Sequence, residues 1–599
     1  MSDVVAALKT KTVGDYIASY KKLLADRKSV PKDRAIRIAM LSSFTTTGLK
    51  ETLGVKCYEL GIEMECFEAP YNQVVQTIME SAGTFYQFCP DLTIVFVDVM
   101  DLLGEDFFSP YGLSEDQRLK FADAKADEVT GWVEKILAGR KGKVLLHNFR
   151  IPYYSPFGIL ENKQKFGFFK MVRRINDLLE ERFRESSEVF VFDYDAFCSR
   201  HGKLHVTDYK MYYLGDFKLS FTSMPLLCDE YLAYIKPLLS RTRKCLVLDL
   251  DNTLWGGVVG EDGIEGIKIG PTPEGRPFLE FQKYILNLLD RGVLLAINSS
   301  NNTEEVERVF NEHPNMVLRK EHFAAIEINW NDKVTNLRSI AKKLNIGLDS
   351  LVFLDDLASN REIVRNALPS VLVPEMPEDP SEYIALLSRM TDFNTLQLTV
   401  EDRNRNRLYA AERLRQENLD SVTDIDTYLR GLKIVVTLAT AKPITVPRIS
   451  QLTQKTNQFN MTTRRYLEED INRFASDPHF WVLSVGVEDR FGDSGVTGVL
   501  VIERLSEEWR IDTFLLSCRV MGRKIENAVL SFVIVRARQA GVRFLRGEFR
   551  STPKNLPARD FYKKNGFVFK SEVNGEEVLE YDVFTKYEAP AFIEVIWKD

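Results

Sequence analysis

Short apolar runs at 38–41, 92–97, 144–146 and 189–192 punctuate the first 240 residues, with helical patterns between them, among them 116–137 and 164–183. This alternation of strand and helix predicts a parallel sheet flanked by helices. A second series of strands follows, with apolar runs at 245–248, 293–297 and 351–354, and helical patterns at 277–290 and from Thr303 and Lys333 onward. The stretch 373–380, with Pro374, Pro377 and Pro380, breaks helix and strand alike. Helical patterns then run to about 430, and strand signals return at 434–438, 481–485 and 498–502. Last come a strand ending at Cys518 and a long apolar helix with Ile525, Val529, Phe532 and Val533 on one face, ending at Gly541. A chain of 599 residues is too long for one hydrophobic core. The expected organisation is an α/β multidomain protein with domains at 1–240, 241–375 and 431–599 and a helical linker region at 376–430.

The chemistry concentrates in the second region. The strand from Cys245 delivers two carboxylates, Asp249 and Asp251, to its carboxyl end. Side chains two apart on a strand share a face, so both are expected to converge on one phosphoryl group and one metal ion. Two neighbouring acids would repel, and burial would push one to keep a proton. With a divalent cation bound, one acts as nucleophile and ligand while the other moves protons at the leaving group and attacking water. After the second strand, Asn298-Ser299-Ser300-Asn301 offers a hydroxyl and backbone amides for phosphate oxygens at a helix start. Lys333 can neutralise a phosphoryl oxygen and the Asp249 carboxylate. The third strand ends in Asp355-Asp356, hard oxygen ligands of the kind that surround Mg²⁺.

Asp249-x-Asp251, Ser299, Lys333 and Asp355-Asp356 resemble the four motifs of the haloacid dehalogenase (HAD) superfamily, and the run from Leu248 to Gly263 resembles its FkbH-like branch. The resemblance spans about 37–567. It implies that Asp249 is nucleophile and Mg²⁺ ligand, Asp251 the acid/base and a further member of the metal site, Ser299 and Lys333 the phosphate binders, and Asp355 and Asp356 the remaining ligands. It also implies transfer of the glyceryl group of 1,3-bisphosphoglycerate, with loss of phosphate, onto an acyl carrier protein as a thioester. Two stretches depart from the branch. Asn298-Ser299-Ser300-Asn301 stands where Cys-Ser-Lys-Asn is expected, and Leu357-Ala358-Ser359-Asn360 where Asn-Pro-x-Glu is expected. Only about forty-eight residues separate Asp251 from Ser299, too few for a folded cap, so a HAD core with an open site is expected. An open site suits a bulky or carrier-borne substrate, or one closed over by neighbouring domains.

The net charge of −7 argues against nucleic acid or an anionic membrane as the main partner, and means that an acidic carrier protein would need a local basic patch. No apolar run reaches membrane-spanning length, and no signal-peptide pattern opens the sequence. Seven dispersed cysteines without Cys-x-x-Cys spacing fit a reducing cytoplasm, and six unclustered histidines argue against zinc.

The outer regions carry fainter signals. The first sheet is of the flavodoxin type, and Ser42-Ser43 with His147-Asn148 gives it a likeness to SGNH hydrolases. No Gly-Asp precedes the serines and no Asp-x-x-His stands near the region's end, so a docking or lid role is expected. In the last region, the strand 513–518 runs into Arg519-Val-Met-Gly522-Arg523-Lys524 and a helix. With Asn555 and Phe561-Tyr562 through Gly566-Phe567, it resembles GNAT acetyltransferases. Such a turn can seat a pyrophosphate or the phosphopantetheine arm of a carrier protein, which would engage Arg519, Gly522, Arg523, Asn555 and Tyr562. The stretch 451–465 resembles another segment of the FkbH-like branch. Cys518 is a candidate acyl thioester or a small core side chain, whereas Cys245, about 13 Å back along the strand from Asp249, is expected in the core. Three functions follow: an acyl-phosphate-processing HAD enzyme that loads a carrier, a HAD phosphatase acting on a free or glycan-linked small phosphometabolite, or a carrier-docking GNAT-type acyltransferase with a vestigial HAD site.

Overall fold

The computed structural model describes residues 12–25, 35–139, 142–398, 408, 409, 415, 425–573 and 575–598. Most of the helical pattern expected between 399 and 424 lies outside the described residues. The chain divides into two compact units, Met1–Arg241 and Thr242–Asp599.

The first unit is built on a five-stranded parallel sheet of β1 (Ala35–Ser42), β2 (Glu63–Glu68), β3 (Leu92–Phe96), β4 (Lys143–His147) and β5 (Val189–Phe192), in the order β2-β1-β3-β4-β5. This is the doubly wound order with its switch point between β1 and β3. Alternation along β1 sends Ala39 and Leu41 into one core, with Ala126, Val129 and Val133 of the helix Glu115–Gly139. Ile38 and Met40 enter the other, with Leu53, Leu227 and Tyr231. Both faces are covered by helices, which is why the strands read as nearly unbroken apolar runs.

The second unit holds two sheets. Strands β6 (Cys245–Leu248), β7 (Leu294–Ser299), β8 (Phe323–Ile328) and β9 (Leu351–Leu354) form a parallel sheet in the order β8-β7-β6-β9. Leu246 and Leu248 face Phe281 and Ile285 of the helix Arg276–Asp290. Cys245 and Val247 face Leu337 and Ile340 of the helix Lys333–Lys343, so Cys245 is a core residue. Between Asp251 and Ser299 the chain forms the helices Val259–Gly266 and Arg276–Asp290, two isolated bridges and β7 itself, leaving no room for a cap. The helix Tyr383–Arg389 falls in the region read from sequence as linker. It packs into the same core through Tyr383 and Leu387, with Phe393 beyond it. Prolines stop regular structure there without ending the domain.

The last sheet is mixed. It contains β10 (Ile434–Thr440), β11 (Phe459–Asn460), β12 (Phe480–Asp489), β13 (Gly492–Arg504), β14 (Glu508–Leu516), β15 (Phe544–Arg550), β16 (Val568–Val573), β17 (Glu576–Asp582) and β18 (Ile593–Lys598). The order is β16-β17-β15-β14-β13-β12-β10-β18, with β11 pairing to β14. The helix Ile525–Gln539 crosses between the parallel strands β14 and β15 and buries Ile525, Val529 and Val533 against them. This is a mixed α/β domain with the crossing helix packed on one face of the sheet. Among the described residues no helix is long and apolar enough to cross a membrane.

Candidate active site

The carboxyl ends of β6, β7 and β9 meet where a parallel α/β sheet offers its binding crevice. The Asp249 N–H donates to the Leu354 carbonyl at 3.0 Å, carrying the β6–β9 pairing one residue further. Its side chain thus emerges beside Asp355, the first residue after β9. Oxygens of Asp249, Asp355 and Asp356 lie within 4.8 Å of one another. Lys333 opens its helix behind the Asp332 cap, whose carboxylate accepts the Thr335 N–H at 2.8 Å. The Lys333 ammonium, 8% exposed, sits 3.0 Å from Asp249 Oδ1 and 3.2 Å from Asp355 Oδ2, and donates to the Asn298 carbonyl at 2.8 Å.

Asp355 is fully buried and held from behind. Its Oδ1 accepts the Leu357 N–H at 3.0 Å and Asn360 Nδ2 at 3.1 Å. The Arg361 guanidinium donates to the carbonyls of Asp355 and Asp356 and pairs with Glu375 at 2.6 Å. Asn360, at the position where the branch pattern has Glu, therefore supplies donors to a buried carboxylate instead of a further negative charge.

Three carboxylates against one ammonium leave the group anionic. Burial holds the Asp249 carboxyl above its usual range, and Lys333 and a hydrogen bond from Ser299 counter the rise while Asp355 adds to it. Asp356 is pushed up to about 6 by burial and by the charges of Asp249 and Asp355. A hard divalent cation such as Mg²⁺ fits this donor set. All the donors are carboxylate oxygens, their mutual repulsion is what a cation relieves, and buried Asp249 Oδ1 receives no well-directed hydrogen bond despite its ion pair with Lys333.

Asp251 does not join this group. β6 ends at Leu248, so the strand alternation expected to align Asp249 with Asp251 no longer holds there, and Asn252 takes a left-handed φ of 52°. Both Asp251 oxygens are engaged, Oδ1 by Trp255 Nε1 at 2.8 Å and the Val259 N–H at 3.1 Å, Oδ2 by Asn301 Nδ2 at 2.9 Å. Asn301 Nδ2 also reaches Ser299 Oγ at 3.0 Å, tying the second carboxylate to the hydroxyl expected to bind phosphate. Sequence reasoning did not single out Trp255, Asn301 or Arg361 for these roles, because none is titratable at neutral pH and their partners lie across loops. Asn298 is completely buried, with its side chain turned to the helix Lys333–Lys343. The position where the branch carries Cys therefore faces away from the Ser299 side chain.

The C-terminal turn is engaged within the protein. Arg523 is buried, donating to Asp489 Oδ2 at 3.2 Å and to the Arg519 carbonyl at 2.6 Å, while Arg415 grips the same aspartate with two bonds of 2.8 Å. Gly522 and Lys524 take the left-handed φ values, 78° and 60°, that fold the turn. Arg519 Nε is 3.4 Å from Ser517 Oγ. The Cys518 carbonyl accepts Asn345 Nδ2 at 2.9 Å, and Lys554 pairs with Asp349 at 2.9 Å. Asn345 and Asp349 precede β9, so the turn lies toward the amino end of the phosphatase sheet, a strand length of roughly 13 Å from the aspartates.

The crevice beside β14 is also occupied. β14 and β15 pair only from Glu508↔Phe544 to Ile511↔Gly547. Beyond that point Phe459 and Asn460 pair with Leu516 and Leu515, and the Arg550 N–H donates to the Met461 carbonyl at 2.8 Å. Asn555 Nδ2 holds this segment through the Asn460 carbonyl at 2.8 Å. Arg464 follows it into a cage of Asp512, Glu548 and Glu576, the last two at 2.8 and 2.6 Å. Tyr562 is buried against the backbone of Gly547, where an added Cβ would stand 2.5 Å from its ring. In the first unit, His147 is wholly buried, packed 4.0 Å from the Phe96 ring and 3.0 Å from the Tyr231 hydroxyl, while Ser43 donates to Asp101 at 2.5 Å. The two halves of the SGNH likeness thus do not form a serine–histidine pair.

A buried carboxylate group with one lysine at the carboxyl end of a capless parallel sheet defines a phosphatase domain of the HAD class. The comparisons agree. Residues 37–236 match the family description "FkbH, N-terminal domain". The N-terminal part of the protein BF1531 from Bacteroides fragilis, described as containing a phosphatase domain complexed with Mg, matches at 31% identity and a TM-score of 0.58. The match covers 65% of this chain and all of that one. The chain belongs to the FkbH family. The GNAT domain of S. lividans PAT (16% identity, 24% of this chain, 89% of that one) and the ribosomal-protein-S18-alanine N-acetyltransferase from Escherichia coli (13%, 26%, 97%) both match with a TM-score of 0.21. These two bear on neither activity nor ligand. No curated protein matches.

Proposed function

We propose that the protein removes a phosphoryl group from an acyl phosphate such as 1,3-bisphosphoglycerate and loads the acyl group onto the phosphopantetheine thiol of an acyl carrier protein. The observation that carries the phosphatase half is the group Asp249, Lys333, Asp355 and Asp356. Mg²⁺ held by Asp249, Asp355 and Asp356 would supply charge neutralisation at the phosphoryl oxygens. Asp249 attacks phosphorus, forming an aspartyl phosphate as the P–O ester bond breaks. Asp251, oriented by Trp255, Val259 and Asn301, gives its proton to the leaving oxygen and takes one back from the water that cleaves the aspartyl phosphate. Ser299 and Lys333 hold the phosphoryl oxygens. In the loading half, the carrier thiol attacks the acyl carbon; the C–S bond forms as the acyl C–O bond breaks, its electron pair leaves with the phosphate, and the thiol proton is taken up by the released phosphate.

The absence of an inserted cap between Asp251 and Ser299 supports direct approach of a carrier arm to the aspartates. The position of Cys518 toward the amino end of the sheet, with its carbonyl bound by Asn345, favours direct transfer over relay through that cysteine. A second reading, a phosphatase acting on a free or glycan-linked phosphometabolite, is favoured by the filled crevice beside β14, which leaves the C-terminal domain as support. On a third reading the C-terminal domain is the acyltransferase and the HAD site is idle, so Asp249→Asn would leave product formation intact.

The test is incubation with Mg²⁺, 1,3-bisphosphoglycerate and a panel of phosphopantetheinylated carriers, following carrier mass and released phosphate together. A glyceryl mass gain lost in Asp249→Asn supports loading. Phosphate release with no mass gain overturns it in favour of the second reading, and a mass gain that survives Asp249→Asn favours the third.

A further inference from the structure

The ammonium of Lys333 donates to the Asn298 carbonyl and lies within ion-pair distance of the Asp249 and Asp355 carboxylates. Its position is consequently set on one side by the charges it serves and on the other by β7. The link to β7 is reciprocal. Asn298 Nδ2 donates to the Lys333 carbonyl at 3.0 Å, while Lys333 Nζ donates to the Asn298 carbonyl at 2.8 Å. Asn336, one turn further along the helix, fixes the amide by donating from Nδ2 to Asn298 Oδ1 at 3.1 Å. Asn298 is 0% exposed and Asn336 1%, so water does not stand in for either bond.

Strand alternation explains why this residue lies near the chemistry without touching it. Ser299 points to Asp249, and its neighbour Asn298 points to the opposite face, against the helix. A side chain there reaches the reacting atoms only through Lys333.

We propose that Asn298 is the positioning residue for Lys333, its amide locking the first helical turn to β7 so that the ammonium stands between Asp249 and Asp355. This rests on the phosphatase reading of the site. It also gives the departure from Cys at this position a meaning. A planar amide donates to the helix and accepts from Asn336 at once, whereas a thiol is a weak donor. The substitution thus belongs to lysine placement and has no bearing on an acyl thioester.

The test uses the full chain with p-nitrophenyl phosphate and Mg²⁺. Asn298→Ala is expected to lower kcat on the order of 10–100-fold, the range typical of groups that orient a site from behind. KM should shift less than about threefold, because Ser299 and the carboxylate-bound cation still hold the ground-state phosphate. A readout independent of turnover accompanies it. With Lys333 no longer held, the three carboxylates are less compensated, so added Mg²⁺ should raise the melting temperature of the variant more than that of the parent.

A purely structural role would lower the melting temperature equally with and without Mg²⁺ and leave kcat intact, and that result overturns the proposal. Should Asn298→Ala not fold, Asn298→Asp decides the question. It keeps the shape and the bond from Asn336 but loses the donor to Lys333, and parental kcat with a parental response to Mg²⁺ would overturn the proposal. Asp249→Asn run in parallel separates the two levels. If it retains phosphatase activity, the reading of the site has failed. If it is inactive while the Asn298 variants match the parent, only the positioning role has failed.

Discussion

Replacing Lys333 with Met removes the ammonium that pairs with Asp249 and Asp355 while keeping most of the side chain's volume. Lys333 is 8% exposed, Asp249 7% and Asp355 fully buried, so neither Asp249 nor Asp355 regains solvent when the ammonium goes. Breaking a buried pair by removing one partner costs about 3–5 kcal/mol. For a region of 150–250 residues each kcal/mol moves the melting temperature by about 2–4 °C, so a fall on the order of 6–20 °C is expected at pH 8 without Mg²⁺. The cost depends on pH because the carboxyls can take up protons. Asp356 already titrates at about 6 in the folded protein, against 3.8 for an unperturbed carboxyl, and Asp249 is likewise raised. A carboxyl raised on folding contributes stability that is full below its unfolded pKa and is lost as pH rises through its folded pKa. The variant should therefore lose most above pH 6 and progressively less toward pH 4. Mg²⁺ should recover much of the deficit at pH 8. Melting curves at pH 5 and pH 8, each with and without Mg²⁺, test this. An equal loss at both pH values, with no recovery by Mg²⁺, would refute the electrostatic account of the site.

Trp255→Phe removes one donor to Asp251 and preserves the aromatic packing against Phe310. Phosphate release under Mg²⁺ saturation should fall about tenfold, as for other groups that orient a reacting residue, and an unchanged rate would show that Asp251 needs no such orientation. Cys518→Ser should load carrier at the parental rate in the mass assay, because its turn lies toward the far end of the phosphatase sheet, and loss of loading would restore the acyl-cysteine idea. Arg464→Ala leaves Asp512, Glu548 and Glu576 facing one another. It should lower the melting temperature, with partial recovery by guanidinium at low millimolar concentration, and a variant as stable as the parent would show that the cage is not needed to close the crevice.

Asp249, Lys333 and Asp355-Asp356 were legible in the chain because each sits at the end of an apolar strand or the start of a helix, and in a parallel sheet those ends converge whatever the loops do. The alternation of runs likewise implied the parallel sheet of the first region, and the short spacing between Asp251 and Ser299 the absence of a cap, since there was too little chain to build one. Asp251 was assigned to the metal group by strand periodicity, but the strand had already ended at Leu248, and periodicity carries no information past the last ladder bond. Asn298 read as a lost thiol. Its actual role depends on which face of β7 it takes and on a helix that begins thirty-five residues later. The C-terminal turn has the composition of an anion site, yet the donors that composition advertises are taken by Asp489, the Arg519 carbonyl and Asn345.

Sequence alone thus determined the elements, the order of the chemical groups and the reaction class they suit, because those follow from local periodicity and from residue types that have few alternative uses. Tertiary structure decided which groups meet, which are already satisfied and which crevice is closed. Those outcomes depend on hydrogen bonds and charge pairs between residues far apart in the chain, and a buried polar atom takes whichever partner the fold brings within reach.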